Sequence, residues 1–373
     1  MPSVPTQTSA ETTAPLRIVM VAHSHWLGGM EQSVVTLSKA LQAQGHMVGY
    51  AGPADGWLGT ELASIGVTCC HVPLNGMYDV ISFFKLYGFV KRFKPDIVHG
   101  HSQRGGRYAA WVAGWAKVPA VATAHSTTSS KWFKKARIHV VAVSDAVKRF
   151  LLSQGLPDEQ VSMVHLGVHD VDKWSVPSGG EITPDRPLRL GMVSRVTHLK
   201  GHDIALRAMA HLNPKIPCTL TIVGDYDGDW GRHMKQHAQR HGLVDRVDFL
   251  GQQRDIVQLM AGFDLLLAPS RREALSLTLI EAAAAGRAVV ASDIGGIPEV
   301  VLHEKTGLLF PSEDWLAMAE AIERLSAPDV RIAYGMAARE YYEHEFTIDH
   351  MREKTESVYR KLIAENQKTK SLK

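Results

Sequence analysis

The chain has 373 residues, of which 45% are hydrophobic and 21% are charged. These fractions are typical of a globular protein and exclude a wholly disordered chain, and the length predicts two domains or three. The net charge of +3 is too small to indicate a nucleic-acid partner, and none is predicted. Three cysteines are too few for a disulfide scaffold and lack a zinc-site spacing, so we expect reduced thiols.

The sequence contains no membrane-spanning or secretory signal. No apolar run approaches the roughly 18 residues that a transmembrane helix requires. Residues 1–15 are polar and lack both a basic start and an apolar segment, so we predict a disordered tail. These features predict a cytoplasmic protein.

The first half of the chain alternates buried strands with helices. The apolar run Leu16–Ala22 is followed by a glycine turn and then by apolar residues at helical spacing. Three later predicted strands end in histidine or serine: 97–101, 120–125 and 139–144. In open parallel sheets, ligands bind beyond the carboxyl ends of the strands. His101, His125 and Ser144 are therefore predicted to line a cleft.

A second alternation of strands and helices begins after a Pro- and Gly-rich stretch at 177–187, which we interpret as a linker. The predicted domains are 16–176 and 188–345, and a charged helix at 346–373 is expected to pack back on the first domain. Two α/β halves of similar size predict two Rossmann-like domains that face each other across a cleft.

Glycines or cations follow the first strand of each half. Gly28 and Gly29 allow close approach of the backbone to a ligand, and the next helix offers free N–H groups to an anion. In the second half, Arg195 can bind two oxygens of a diphosphate and Lys200 adds a mobile charge. Taken alone, such residues are also common in structural turns and on solvated surfaces.

Two glutamates, Glu273 and Glu281, lie before and within a predicted helix that ends at Gly286. Helical side chains lean toward the helix N-terminus, so Glu281 can reach a ligand held there. The amides of Ser276 and Leu277 would face a phosphate at that position. Carboxylates are good acceptors from sugar hydroxyls, although ordinary surface glutamates give the same pattern.

No metal site is predicted. Asp225-Tyr226-Asp227 has the form of a D-x-D metal motif, but it follows a strand at a place where a turn requires polar residues. The 19 histidines form no H-E-x-x-H pattern, and neither a G-x-S-x-G elbow nor a Walker loop occurs.

Together these segments resemble the retaining family 4 glycosyltransferases, which have the GT-B fold. The resemblance extends from about Ile18 to Phe346. Its segments occur in the family's order: LGGMEQSVVTLSKALQAQGH, PDIVHGHS, TAH, VAVSDAVK, SRVTHLKG, TIVGD, VDFLG, LLLAPS, REALSLTLIE, GGIPEVV and TGLLF. Each segment is weak alone, but their order is specific.

The resemblance implies transfer of a sugar, with retention, from a nucleoside-diphosphate sugar to a glycan or lipid-linked acceptor. The expected context is the synthesis of cell-envelope polysaccharide or lipopolysaccharide. Arg195 and Lys200 would bind the donor diphosphate, and Glu281 would bind the nucleotide ribose. Glu273 would contact the transferred sugar.

The resemblance implies further site residues. His125 would lie near the anomeric centre and act in catalysis with Glu273, Arg195 and Lys200. On the acceptor side it implies His101, Ser126 and Ser144. The remaining donor-side positions are Gly28, Gly29, Gly224, Ala274, Leu275, Ser276 and Leu277.

The sequence departs from the family at two places, Ala274-Leu275-Ser276 and Ser194, where the family commonly has glycines. The implied mechanism stabilises the charge of the leaving diphosphate. It requires no cofactor or metal.

Two other enzymes and one binding protein are weighed against this function. A nucleotide-sugar epimerase would have the same fold, whereas a nicotinamide oxidoreductase should show a G-x-G-x-x-G that is absent. A sensor that binds sugar nucleotides without turnover would not need the two glutamates and two cations.

Basic and aromatic residues are interleaved in the first domain, at 83–94 and 131–137. Between Val80 and Phe150, 13 Lys or Arg stand against only Asp96 and Asp145. Such a surface suits an anionic bilayer, although the aromatics would face the core if the segments were ordinary helices. We predict peripheral binding to the inner face of the cell membrane.

Overall fold

The structure, a computed structural model, describes residues 14–25, 27–76, 78–127, 131–136, 138–171, 180–212, 216–253 and 256–371. Within these residues the first domain contains one parallel sheet of seven strands in the order β3-β2-β1-β4-β5-β6-β7. The strands are β1 Arg17–Val21, β2 Met47–Gly52, β3 Thr68–His71, β4 Ile97–His101, β5 Ala120–Ala124, β6 His139–Ala142 and β7 Val161–Met163. Residues 18–21 of β1 are fully buried because helices cover both faces of the sheet.

Among the described residues, six helices of the first domain surround this sheet. They are α1 Gly29–Ala43, α2 Trp57–Ser64, α3 Val80–Phe93, α4 Ser102–Ala116, α5 Lys131–Ala136 and α6 Asp145–Ser153. The Asp79 side chain caps α3 by accepting from the Ser82 amide, and Ser144 caps α6 by accepting from the Val147 amide. Each cap satisfies a backbone donor that the helix itself leaves unpaired.

The second domain contains a parallel sheet of six strands in the order β10-β9-β8-β11-β12-β13. Its strands are β8 Leu188–Val193, β9 Cys218–Val223, β10 Val247–Gly251, β11 Leu265–Ala268, β12 Ala288–Ser292 and β13 Gly307–Phe310. Its helices are α7 His202–His211, α8 Asp229–Arg240, α9 Ile256–Ala261, α10 Leu277–Ala284, α11 Ile297–Val300, α12 Trp315–Arg324 and α13 Pro328–Glu345. The two sheets confirm the predicted α/β fold of two Rossmann-like halves.

The last helix, α14 (Ile348–Ser371), leaves the second domain and packs on the first. Its Tyr359 hydroxyl lies 2.6 Å from His99 Nδ1, and its Glu356 lies 3.3 Å from His46. The chain thus crosses between the domains twice, and the crossing segments meet where Val168 pairs with Thr347. The predicted tail lies largely outside the described residues, whereas residues 180–187 of the predicted linker are described and form a turn closed by hydrogen bonds between Thr183 and Arg186.

Helix α3 contains most of the segment 83–94 that is predicted to meet a membrane, and its structure limits which side chains can do so. Its amphipathic pattern turns most of its aromatic and aliphatic side chains into the core: Phe83, Leu86, Phe89, Val90 and Phe93 are buried. Phe133 in α5 is also buried, whereas Phe84 is 56% exposed. The buried side chains are therefore unable to meet a membrane. None of the described helices is long and apolar enough to cross one.

Candidate active site

A cavity of about 520 Å³ lies between the two domains, a size typical of small-ligand sites. It opens beyond the carboxyl ends of β1, β8, β9 and β11. In both sheets the strand order reverses beside the first strand, which leaves a crevice where ligands bind. The predicted donor-side residues that line it are Gly28, Gly29, Arg195, Lys200, Gly224, Glu273, Leu275, Ser276, Leu277 and Glu281.

Two helix N-termini meet at this cavity. Helix α1 begins at Gly29 and α10 begins at Leu277, and neither has a side-chain hydrogen bond at its cap. The domains approach closely here, because a Cβ on Gly29 would lie 3.3 Å from Leu277 Cδ1. The partial positive charge at both helix starts favours an anion between them.

Glycine is required where the loop after β9 meets the loop after β8. Gly224 has a φ of +142°, and a Cβ there would lie 2.1 Å from the Ser194 carbonyl oxygen. A side chain at position 224 would collide with this carbonyl group, so glycine lets the two loops approach each other. Both loops line the cavity beside Arg195.

The two predicted cations occupy different environments. Lys200 ends a short 3₁₀ turn, and its Nζ donates to Glu273 Oε2 at 2.5 Å. Arg195 is exposed to solvent at the cavity. The glutamate holds the lysine in place and offsets its charge, so the site presents one paired and one exposed cation.

Glu281 lies on the cavity side of α10, in its second turn. Burial raises the pKa of Glu281 to about 7. A pKa near 7 is unusual for a glutamate, and strongly shifted pKa values are common at functional sites.

Both domains match known families. Residues 27–171 match Glycosyltransferase Family 4, and residues 180–340 match Glycosyl transferases group 1. The chain is 30% identical over 251 residues to the lipopolysaccharide core biosynthesis mannosyltransferase LpcC of Rhizobium leguminosarum bv. viciae, covering 64% of this chain and 69% of that protein. The chain belongs to glycosyltransferase family 4. This membership confirms the predicted enzyme class and decides against the oxidoreductase and the epimerase.

Two further proteins are similar to a larger part of this chain. A phosphatidyl-myo-inositol mannosyltransferase of Mycobacterium leprae is 28% identical over 81% of this chain and 85% of its own length. The solved structure of Anabaena HepE in complex with UDP and glucose has a TM-score of 0.80 at 21% identity, covering 93% of this chain and all of that one. The latter likeness confirms the predicted GT-B fold.

The histidines predicted at the cleft do not line the donor cavity of the glycosyltransferase. His101 Nδ1 is 3.2 Å from His125 Nε2, and both rings line a separate small cavity of about 20 Å³. Burial lowers the pKa of His125 to about 4, so its ring is neutral at pH 7. His101 is almost fully buried, and its Nε2 has no partner among the described residues.

Three other predicted residues do not line the donor cavity. Ser126 is exposed after β5. Ser144 is fully buried, and its hydroxyl donates to the Ala274 carbonyl at 2.7 Å. Ser144 and Ala274 are therefore hydrogen-bonded to each other. In this arrangement the Ser144 hydroxyl is not accessible to a sugar acceptor.

Several cavity residues were not predicted: Leu27, Gln32, Val193, Ser194, Val223, Asp225, Gln252, Gln253, Ile256 and Thr278. Gln32 lies in the first turn of α1, and the residues that follow β8 and β9 obey the same strand-end rule that identified Arg195. Asp225 Oδ1 accepts from the Asp227 amide at 3.0 Å, as in a turn. Within the described part of the chain, no three potential ligands group around a metal position.

Proposed function

We propose that this glycosyltransferase transfers a sugar, with retention, from a nucleoside-diphosphate sugar to a glycan or lipid-linked acceptor of the cell envelope. One observation carries the donor class: two helix N-termini, Arg195 and Lys200 converge on one cavity that also contains Glu281. The complex of HepE with UDP and the name of the rhizobial relative support the donor and the envelope context.

The donor would bind with each of its parts opposite a suitable group. Its diphosphate fits between the start of α10 and the two cations, and its ribose hydroxyls fit the Glu281 carboxylate. Charge develops on the leaving diphosphate as the glycosidic bond breaks, and preorganised positive groups stabilise that charge. Glu273 would contact the sugar and keep Lys200 in position. The leaving phosphate would take the acceptor proton on the same face, which retains configuration without a carboxylate nucleophile.

Arg195, Lys200 and two helix starts supply positive charge for a diphosphate, so we propose that transfer needs no metal. A thermal-shift panel of UDP-, GDP- and ADP-sugars in excess EDTA tests donor class and metal independence together. One donor should raise the unfolding temperature, because a ligand that binds only the folded state stabilises it. No shift with any donor, even after manganese is added, would contradict the donor class. A shift that appears only with manganese would contradict metal independence alone.

The acceptor side carries an exposed apolar surface that supports membrane binding. We name it the α3 patch: Tyr78, Val80, Ile81, Phe84 and Trp115, which are 54–74% exposed. The Arg107 guanidinium lies 3.6 Å from the centre of the Tyr78 ring, and Lys85 and Lys117 are exposed nearby in sequence. Apolar groups that can enter a bilayer beside cations suit an anionic interface, where each cation contributes roughly 1 kcal/mol. A patch of this kind would bring a lipid-linked acceptor to the cleft.

Replacing Ile81 and Phe84 together with serine should abolish sedimentation with vesicles that contain phosphatidylglycerol. Wild-type protein should sediment with these vesicles at low salt, less at high salt, and little with phosphatidylcholine alone. The matched control replaces Val244 and Leu316, two apolar residues exposed on the second domain, with serine. Equal binding by wild type and the patch variant would remove the α3 patch from the proposal. No binding of the wild type would remove the membrane from it.

A further inference from the structure

Glu299, in α11 of the second domain, makes a contact between the domains that the proposed chemistry does not use. Its carboxylate accepts hydrogen bonds from the amides of Asp145 at 2.6 Å and Ala146 at 2.9 Å. It also lies 3.0 Å from His165 Nε2. These amides are the first two of α6, so a residue of one domain caps a helix of the other.

The same contact reaches the loop that carries Glu273, residues 269–276, which we name the Glu273 loop. Ser144 Oγ donates to the Ala274 carbonyl at 2.7 Å and accepts from the Val147 amide at 3.1 Å. From the other side, the Gly296 amide donates to the Glu273 carbonyl at 3.4 Å. The start of α6 and the turn before α11 therefore hold this loop between them.

The turn before α11 packs closely against this loop. A Cβ on Gly295 would lie 1.9 Å from the Glu273 carbonyl oxygen, and one on Gly296 would lie 2.1 Å from the Ala274 carbonyl oxygen. Movement of the first domain away from Glu299 would therefore remove the Ser144 contact and free one side of the loop.

The Glu299 carboxylate is charged in this contact. Burial alone would raise its pKa, but the hydrogen bonds from His165, Ala146 and Asp145 outweigh burial and lower the pKa below its ordinary value. A charged carboxylate is favoured at the start of α6, where the helix presents partial positive charge.

We propose that Glu299 and Ser144 are positioning residues that form an interdomain latch. Closure of the cleft seats α6 on Glu299, and Ser144 then fixes the Glu273 loop. Because Glu273 holds Lys200, the latch places both side chains only when the domains are closed. The expected effect of the latch on turnover rests on the proposed donor chemistry. The contact between the domains does not depend on that chemistry.

Glu299→Gln and Ser144→Ala test the latch in the full-length protein. The glutamine keeps the shape but loses the charge, and one carbonyl oxygen cannot replace two acceptor oxygens. Glu304→Gln is the control, since Glu304 forms an exposed ion pair with Arg324 in the same domain. Small-angle X-ray scattering without donor reports domain closure. Steady-state kinetics with the donor found above separates kcat from KM.

We expect a larger radius of gyration for Glu299→Gln and a kcat roughly tenfold lower for both variants, because slight misplacement of a catalytic group costs that much or more. The donor KM should change less, and Glu304→Gln should match wild type. A lower unfolding temperature with unchanged radius, kcat and KM would overturn the latch and leave Glu299 a structural residue. If the wild type turns over no donor, the proposed function fails, and scattering still decides the latch.

Discussion

Lys200→Ala is expected to lower kcat at saturating donor by at least about 10²-fold, the usual loss when one preorganised charge-stabilising group is removed. Two effects act together. The substitution removes a cation from the cavity, and it leaves the Glu273 carboxylate, now 2.5 Å from Lys200 Nζ, without its partner. An unpaired negative charge beside the leaving diphosphate opposes the charge that develops there. Release of nucleoside diphosphate at saturating donor measures the effect.

The control for this prediction is Lys354→Ala, the same substitution in an exposed ion pair with Glu345 outside the cavity. It should change kcat little, because an ion pair at an exposed position contributes at most about 1 kcal/mol to stability. If Lys200→Ala retains kcat within about threefold of wild type, less than the loss of a typical charge-stabilising group, then Lys200 does not stabilise the transition state.

The parts of the site that sequence could predict are those built by local patterns. Arg195, Lys200 and Gly224 follow apolar strands, and parallel strands bring their carboxyl ends to one edge of a sheet. Glu281 was predicted from the helix that begins at the cavity. The edge strands β3 and β7 were not predicted as strands, because their residues are mostly exposed or half-buried and form no apolar run.

The contacts between the domains could not be predicted in this way. Ser144 was expected to line the cleft because it follows β6, yet its hydroxyl contacts Ala274, 130 residues later. Glu299 lies in the segment GGIPEVV, but that segment does not indicate its partners, which lie on a helix of the other domain. His125 follows β5 as expected, but it lies beside His101 and does not line the donor cavity. Strand ends identify candidates, and the relative placement of the domains decides which of them meet a ligand.

Glu281→Gln is expected to stabilise the donor-free protein at alkaline pH while weakening donor binding. The ordinary pKa of a glutamate, 4.5, applies to the unfolded chain, and burial raises the pKa to about 7 in the folded protein. The folded state keeps a proton that the unfolded state releases. The contribution of Glu281 to stability is therefore fully present below about pH 4.5 and is lost as the pH rises through about 7. The cost above that range is roughly 3.5 kcal/mol, since the pKa rises by about 2.5 and each pKa unit corresponds to about 1.4 kcal/mol.

Thermal unfolding of both proteins at about pH 5 and about pH 8 measures this difference, because linkage predicts a change only across the titration range. The advantage of Glu281→Gln should grow between the two pH values. Glu304→Gln should show no such growth, because its hydrogen bond to Arg324 lowers the pKa of Glu304 and keeps it charged throughout. The donor Kd of Glu281→Gln should rise about tenfold, as expected when a charged hydrogen-bond acceptor becomes neutral. A stability difference that is flat with pH would show that Glu281 is not buried as the structure has it, and an unchanged Kd would remove it from the ribose site.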